Sequence, residues 1–327
     1  MSRSADSIAF VDLDPTEKFA EEVIDGLTQP RKQLPCKYLY DEQGSILFDR
    51  ICELDDYYPT RTELRIMRDN VVEIVEQLGP RCLLIEFGSG SSLKTRILLD
   101  RMQEPAGYVP IDISREHLMK SVHALAAAYP QVDILPMCVD FHETFDVPTT
   151  RHPPQRRVVY HPGSTIGNCT PDEAAMMLRS IARLCGVGGG LLIGVDLKKD
   201  VQTLERAYND SQGITAKFNL NILRRINREL DADFHVEAFE HKAIFNEELD
   251  RVEMHLLSKD NQTVTVCDEE IELTAGETIH TENSHKYDPR DFIQLATTAG
   301  WSSRKVWVDD DRLFSVHFLV VASSPAT

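Results

Sequence analysis

Between residues 82 and 196 the chain alternates short, continuous apolar runs with longer amphipathic stretches. Residues 82–87, 107–113, 132–139, 158–160 and 190–195 read as strands buried on both faces, because such strands lack the in-out alternation of a half-exposed sheet. Residues 94–102, 117–128 and 171–185 read as the helices between them, the last one capped by Thr170. Alternation of this kind predicts an α/β fold with a parallel sheet and helices on both faces.

The flanks follow other periods. Residues 15–29 form an amphipathic pattern that Pro30 and Pro35 break, and residues 38–58 gather Tyr38, Tyr40, Phe48, Tyr57 and Tyr58 ahead of Pro59. A helical period then runs over 60–77 and stops before Gly79-Pro80. Beyond Asp196, residues 198–230 read as helical and 234–287 as antiparallel strands, including 252–256, 263–266 and 278–287. A last helix from Pro289 and a hairpin ending at 314–321 return to the first pattern. The sheet domain therefore spans 61–197 plus 288–327. A second, α+β domain is built from 9–60 plus 198–287.

Inside the first domain, Leu83-Leu84-Ile85-Glu86-Phe87 runs into Gly88-Ser89-Gly90-Ser91-Ser92 and then a helix, with Ser91 or Ser92 as its cap. Glycines there permit a tight turn and close approach of backbone to a ligand. The loop lacks the third glycine of a dinucleotide fingerprint and the Lys-Ser/Thr ending of a phosphate-binding loop. A cofactor without phosphates fits, with S-adenosylmethionine the leading candidate. Three acids close three successive strands: Glu86, Asp112 and Asp140. Asp112 lies about 20 residues beyond the loop, where an acid takes both ribose hydroxyls. Asp140 stands where an acid would accept the adenine amine, with Phe141 flanking the base. An isolated Asp at a strand end is commonly a turn former; three beside a Gly-Ser-Gly turn favour a site. Lys94 is positioned to pair with a cofactor carboxylate, although a lysine on a helix is more often solvated.

Composition narrows the partners. The 327 residues are 42% apolar and 27% charged, with no apolar run long enough to span a membrane. A formal charge of -18 disfavours nucleic acid and anionic lipid and favours a small-molecule substrate. Seven scattered cysteines without a C-x-x-C pair argue against a zinc site or disulfide framework. With no signal-peptide core at the N-terminus, a cytoplasmic protein without a metal is expected.

The chain resembles the L-histidine Nα-methyltransferases (dimethylhistidine N-methyltransferases) of ergothioneine biosynthesis along nearly its whole length, from Leu34-Pro35-Cys36-Lys37-Tyr38-Leu39-Tyr40-Asp41 to the last strand. The most specific stretches are Tyr57-Tyr58-Pro59-Thr60-Arg61-Thr62-Glu63, Gly163-Ser164-Thr165-Ile166-Gly167-Asn168 and Ala207-Tyr208-Asn209-Asp210. Asn219-x-Asn221, Asn227-Arg228-Glu229-Leu230 and Thr281-Glu282-Asn283-Ser284 add to these. The resemblance implies a Rossmann-like class I methyltransferase sheet, a substrate-binding second domain, and a monomer that holds the amino acid between the domains. It implies three methyl transfers from S-adenosylmethionine to the α-amine of histidine, giving hercynine. By motif, Tyr57, Asn168 and Tyr208 would hold the carboxylate and amine, with Tyr40 nearby. Phe48, Gly163 and Met254 would line the pocket, and Glu282 and Ser284 would read the imidazole. Gly88, Lys94, Asp112, Asp140 and Phe141 would hold the cofactor. His161-Pro162 departs from the apolar residues that members of the family can carry before Gly163.

The residue chemistry agrees with those roles. Methyl transfer from a sulfonium needs a neutral amine held in line, so positioning supplies much of the rate. Asn168 and the hydroxyls of Tyr57 and Tyr208 are neutral hydrogen-bonding groups suited to an amine that becomes quaternary. Aromatic faces stabilise such a cation by about 0.5–2 kcal/mol each. No dedicated base is evident; His161 and His285 show no carboxylate partner. Glu282 and Ser284, two apart on a strand, face one way and could serve the two imidazole nitrogens. Taken by pattern alone, an exposed pair on an edge strand is the favoured reading and Met254 is more often core; the family resemblance moves both to the site. The competing readings are an N-methyltransferase of tryptophan or another indole amine, a non-catalytic S-adenosylmethionine-binding protein, and a nicotinamide dehydrogenase, which would want the missing fingerprint.

Overall fold

A computed structural model describes residues 16–322 apart from 91 and 144, with side chains from residue 18 onward. Ser91 and residues 9–15 and 323–327 of the sequence-based domain ranges lie outside the described residues. The early elements are α1 (Thr16–Thr28), α2 (Glu42–Cys52), α3 (Tyr58–Asp69), α4 (Val71–Leu78), β1 (Cys82–Phe87) and α5 (Leu93–Leu99). Then come β2 (Gly107–Asp112), α6 (Arg115–Ala128), β3 (Met137–Cys138), β4 (Arg156–His161), α7 (Pro171–Cys185) and β5 (Gly190–Asp196). These lead to α8 (Val201–Tyr208), α9 (Ile214–Glu229), β6 (Phe239–Asn246), β7 (Arg251–Ser258), β8 (Gln262–Val266) and β9 (Glu269–Leu273). The chain ends with β10 (Thr278–His285), α10 (Pro289–Thr298), β11 (Trp301–Val308) and β12 (Phe314–Val321).

Two compact units result: Pro59–Lys198 together with the chain from Lys286 onward, and the described residues up to Tyr58 together with Lys199–His285. In the first, a seven-stranded sheet runs β11-β12-β5-β4-β1-β2-β3. The five strands from β5 to β3 are parallel, while β12 is antiparallel to both β5 and β11. This strand order is the Rossmann-like sheet, with one antiparallel hairpin at its edge, that the family resemblance implies. Successive residues of β1 serve opposite faces: Leu83 and Ile85 pack with Leu178, Ile181 and Phe292, while Leu84 packs with Ile74, Val75, Leu98 and Tyr108. Each such buried aliphatic side chain stabilises the fold by about 1.5–3 kcal/mol, which is why the run carries no polar alternation. Helix α7 starts at a capping box, Thr170 Oγ1 accepting the Glu173 N–H and Glu173 accepting the Thr170 N–H at 2.7 Å.

Several expected elements differ. The helical period over 60–77 is two helices, because Asn70 turns its side chain onto the Ile66 carbonyl at 2.9 Å and competes with the helix ladder. The strand expected over 132–139 shrinks to Met137–Cys138, since Pro136 cannot donate to the sheet. Ser92 precedes α5 in a left-handed conformation and makes no side-chain capping bond. The helical stretch 198–230 breaks between Tyr208 and Ile214, where Gly213 takes φ +67°.

In the second unit, β10-β7-β6 form an antiparallel sheet and β8-β9 a separate hairpin. Helices α8 and α9 pack on β6 and β7, and α2 packs on α9. Phe218, Ile222, Leu223 and Ile226 of α9, Phe239 of β6 and Leu256 of β7 are buried.

Candidate functional site

In the first unit the candidate cofactor residues gather at the carboxyl ends of β1, β2 and β3. Gly88 and Gly90 hold φ +69° and +46°, and a Cβ built on either would meet nothing within 4 Å. Both glycines therefore leave open space where a side chain would stand, while the N–H groups of Gly88 and Ser89 are held by the Ile111 carbonyl at 2.9 and 3.1 Å. Asp112 fixes the curl: Oδ2 accepts the Gly90 N–H at 3.1 Å and Oδ1 the Ser114 N–H at 3.0 Å. Burial raises its pKa, against the pull of those two amides. Asp140 Oδ1 accepts the His142 N–H at 2.9 Å. Phe141 stacks on Phe87 at 5.2 Å between centroids, so the ring is braced from below. An open glycine turn, an acid ending the second strand and an acid-aromatic pair just after the third fit a nucleoside with an amine-bearing base.

Glu86 does not join them. It is buried, and its Oε2 accepts the hydroxyls of Thr95 and Tyr108, tying the first turn of α5 to β2. The side chain next to the loop in sequence thus points to the opposite face of β1 from Phe87. Burial pushes its pKa up to about 7.

Lys94 meets Glu63, a fully buried residue of α3, and the same oxygen of Glu63 accepts the Gly163 N–H at 2.9 Å. Gly163 (φ +76°) and Ser164 (φ +59°) are both left-handed, and Ser164 Oγ accepts the Asp196 N–H at 2.9 Å. That bend leads into a single 3-10 turn, Thr165–Asn168, which sets the half-buried Asn168. His161 lies edge-on to Phe87 and Phe141, and burial drives its pKa down to about 3, so it is neutral and a poor proton carrier. Glu63 carried no assigned role in the sequence reading. The available signal was an acid three and four residues before Ile66 and Met67, on the apolar stripe of its helix.

The second unit gathers the aromatic and imidazole-reading candidates. Tyr57 stands edge-on to Tyr208 and to Phe48, each at 6.2 Å, and Tyr40 edge-on to Phe48 at 5.4 Å. Phe218, unassigned from sequence, closes the cluster against Tyr40 at 5.3 Å and Phe48 at 5.9 Å. Burial holds the phenols of Tyr40 and Tyr57 far above their usual range, reinforced by the carboxylate of Glu282. They stay protonated. On the sheet, Glu282 pairs with Met254 and Ser284 with Val252, after a bulge at His280 to Glu282. Glu282, Ser284 and Met254 are all buried, although β10 is an outer strand of its sheet. The Tyr208 hydroxyl and Ser284 Oγ lie 2.7 Å apart.

Two sequence motifs set this cluster in place. Asp41 caps α2 through the Gly44 N–H at 2.7 Å and also accepts Asn221 Nδ2 at 2.7 Å and Arg228 at 2.7 Å. Tyr40 and Phe48 are thereby anchored to α9. Asp210 accepts the N–H groups of Gln212, Ile214 and Thr215 and so fixes the junction between α8 and α9. Among the described residues no group of His, Cys, Asp and Glu could hold a metal ion, and no helix is long and apolar enough to cross a membrane.

Residues 19–321 match the family of histidine-specific, S-adenosylmethionine-dependent methyltransferases. The chain is 42% identical to the histidine N-alpha-methyltransferase of Mycolicibacterium smegmatis, over 90% of this chain and 92% of that protein. Identity to the histidine N-alpha-methyltransferase of Mycobacterium tuberculosis is 40%, over 88% and 90% of the two chains. Ergothioneine biosynthesis protein 1 of Neurospora crassa is 28% identical over 88% of this chain, which covers 33% of that longer protein.

Proposed function

Because the chain belongs to the histidine-specific, S-adenosylmethionine-dependent methyltransferases, we propose that it transfers three methyl groups to the α-amine of L-histidine. The product is hercynine, and the step belongs to ergothioneine biosynthesis. One observation carries the choice of amino acid: Glu282, Ser284 and Met254 share a buried face of β10 and β7, with the Tyr208 hydroxyl on Ser284. A carboxylate and a hydroxyl two residues apart suit the two nitrogens of imidazole, and an indole would leave one of them unpaired.

Bound S-adenosylmethionine supplies an electrophilic methyl on a sulfonium. Gly88, Asp112, Asp140, Phe141 and Lys94 would hold it, the glycine by leaving room for close approach, the acids at ribose and adenine, and the lysine at the amino-acid end. Tyr57, Tyr208 and Asn168 orient the substrate's amine and carboxylate, with Tyr40 alongside, and Phe48, Gly163 and Met254 shape the space. The phenols act as neutral donors and acceptors, since burial opposes a phenolate on Tyr40 or Tyr57. The amine proton leaves to water or through a Tyr hydroxyl. A monomeric, cytoplasmic protein belongs to the same proposal, the monomer on the strength of the family resemblance and the compartment on seven scattered cysteines without a C-x-x-C pair.

The test is mass spectrometry of reactions containing the protein, S-adenosylmethionine and each of the twenty amino acids in turn. Three methyls gained on histidine alone are expected, with Glu282→Ala weakening histidine use. Methylation of tryptophan instead would overturn the imidazole assignment, and no product with any amino acid would remove the substrate.

A further inference from the structure

Tyr208 ends α8, and its carbonyl is one of the acceptors that a helix C-terminus leaves without an intrahelical partner. His241 of β6 fills that gap, with Nε2 at 2.9 Å from the Tyr208 oxygen. The other ring nitrogen, Nδ1, lies 3.0 Å from Nδ2 of Asn219 on α9. That same Nδ2 lies 3.1 Å from the His255 carbonyl oxygen of β7. A carbonyl only accepts, so the Asn219 atom facing it must be the amide nitrogen. Its two hydrogens then go to His255 O and to His241 Nδ1. Nδ1 is therefore the acceptor, the proton sits on Nε2, and the N–H points at Tyr208.

We infer that Asn219 and His241 form a positioning relay that locks one imidazole tautomer and thereby sets the last turn of α8, and with it the Tyr208 hydroxyl on Ser284. The relay rests on the proposed reading of Tyr208 and Ser284 as substrate-holding residues. It ties α9, β6 and β7 to that pair inside one unit, through Asn219, which is fully buried, and His241, which is 9% exposed. It also gives the Asn219 motif a purpose that packing alone would not demand, because a leucine would fill the space. A protonated His241 would turn an Nδ1–H toward the Asn219 N–H, donor against donor. The titratable groups facing the ring are Asp210, which favours the proton, and His255, which opposes it; burial, joined by His255, outweighs the Tyr208 carbonyl and Asp210 and keeps the ring neutral.

The first measurement is a long-range 15N–1H correlation spectrum of histidine-labelled protein, with the His241 signal assigned by its loss in His241→Gln. The Nε2–H tautomer is expected; the Nδ1–H tautomer would overturn the relay. Asn219→Ala should lower kcat/KM for the amino acid about tenfold, the scale of a small misplacement of a substrate-holding group, and leave KM for S-adenosylmethionine unchanged. Asn219→Asp should convert His241 to the doubly protonated form in the same spectrum. Wild-type kinetics for the amino acid in Asn219→Ala, or an unchanged His241 signal in Asn219→Asp, would each sink the idea. The spectrum of the unaltered protein needs no substrate, so it stands apart from the fate of the histidine reading. Loss of that reading would show as inactivity of the unaltered enzyme.

Discussion

The Lys94 ammonium is paired with the carboxylate of Glu63, whose Oε2 also accepts the Gly163 N–H at 2.9 Å. One buried oxygen thus joins the helix after the cofactor loop to the bend that leads to Asn168. Glu63→Gln keeps an acceptor for Gly163 but leaves the lysine without its counter-charge. We expect affinity for S-adenosylhomocysteine, measured by calorimetry, to fall about tenfold, one lost charge-assisted hydrogen bond. Methylthioadenosine, which lacks the amino-acid tail, should bind as before. Equal weakening of both would place the effect in the fold and not at Lys94.

Tyr57 stays a phenol throughout the physiological range, since burial lifts its pKa. Tyr57→Phe should slow methyl transfer about tenfold through the loss of one orienting hydrogen bond, without moving either limb of the pH–rate profile. Single-turnover measurement of each methylation step would check this. Unchanged rates at every step would take Tyr57 out of the mechanism.

Glu86 makes stability depend on pH. Its pKa is about 7 in the fold, against about 4.3 in the unfolded chain. Between those values the unfolded state has released the proton and the folded state retains it, so its contribution is full below about 4.3 and lost as pH rises through about 7. The loss is about 4 kcal/mol at most, of which about 3 kcal/mol falls between pH 5 and pH 8. Urea denaturation at pH 5 and pH 8 should show Glu86→Gln losing less stability across that interval than the unaltered protein. Parallel losses would show that Glu86 ionises normally.

Asp41 serves a helix cap, an amide and a guanidinium at once. Asp41→Ala should cost about 2–3 kcal/mol, a cap plus the buried Asn221 amide left without its acceptor. Because Tyr40 and Phe48 flank that cap, KM for the amino acid should rise as well. Thermal denaturation and steady-state kinetics would measure the two effects, and a stability loss with unaltered KM would detach Tyr40 and Phe48 from substrate binding.

The sheet and the cofactor loop were written in the sequence because both depend on local rules. Continuous apolar runs follow from strands covered on two faces, and the turn at Gly88 and Gly90 needs backbone only glycine adopts readily. The family motifs likewise marked Tyr57, Asn168, Tyr208 and Glu282 without any coordinates. Where each side chain points was decided by packing. Glu86 follows the loop's own strand yet turns to the face of Tyr108, because side chains alternate along β1. Glu63, Phe218 and His241 looked like ordinary helix or strand residues, and their partners lie 31, 100 and 33 residues away for Lys94–Glu63, Gly163–Glu63 and Tyr208–His241. No local period encodes a contact at that separation. The tautomer of His241 went further still, since it is fixed by a carbonyl on a strand that the sequence gives no reason to set beside Asn219.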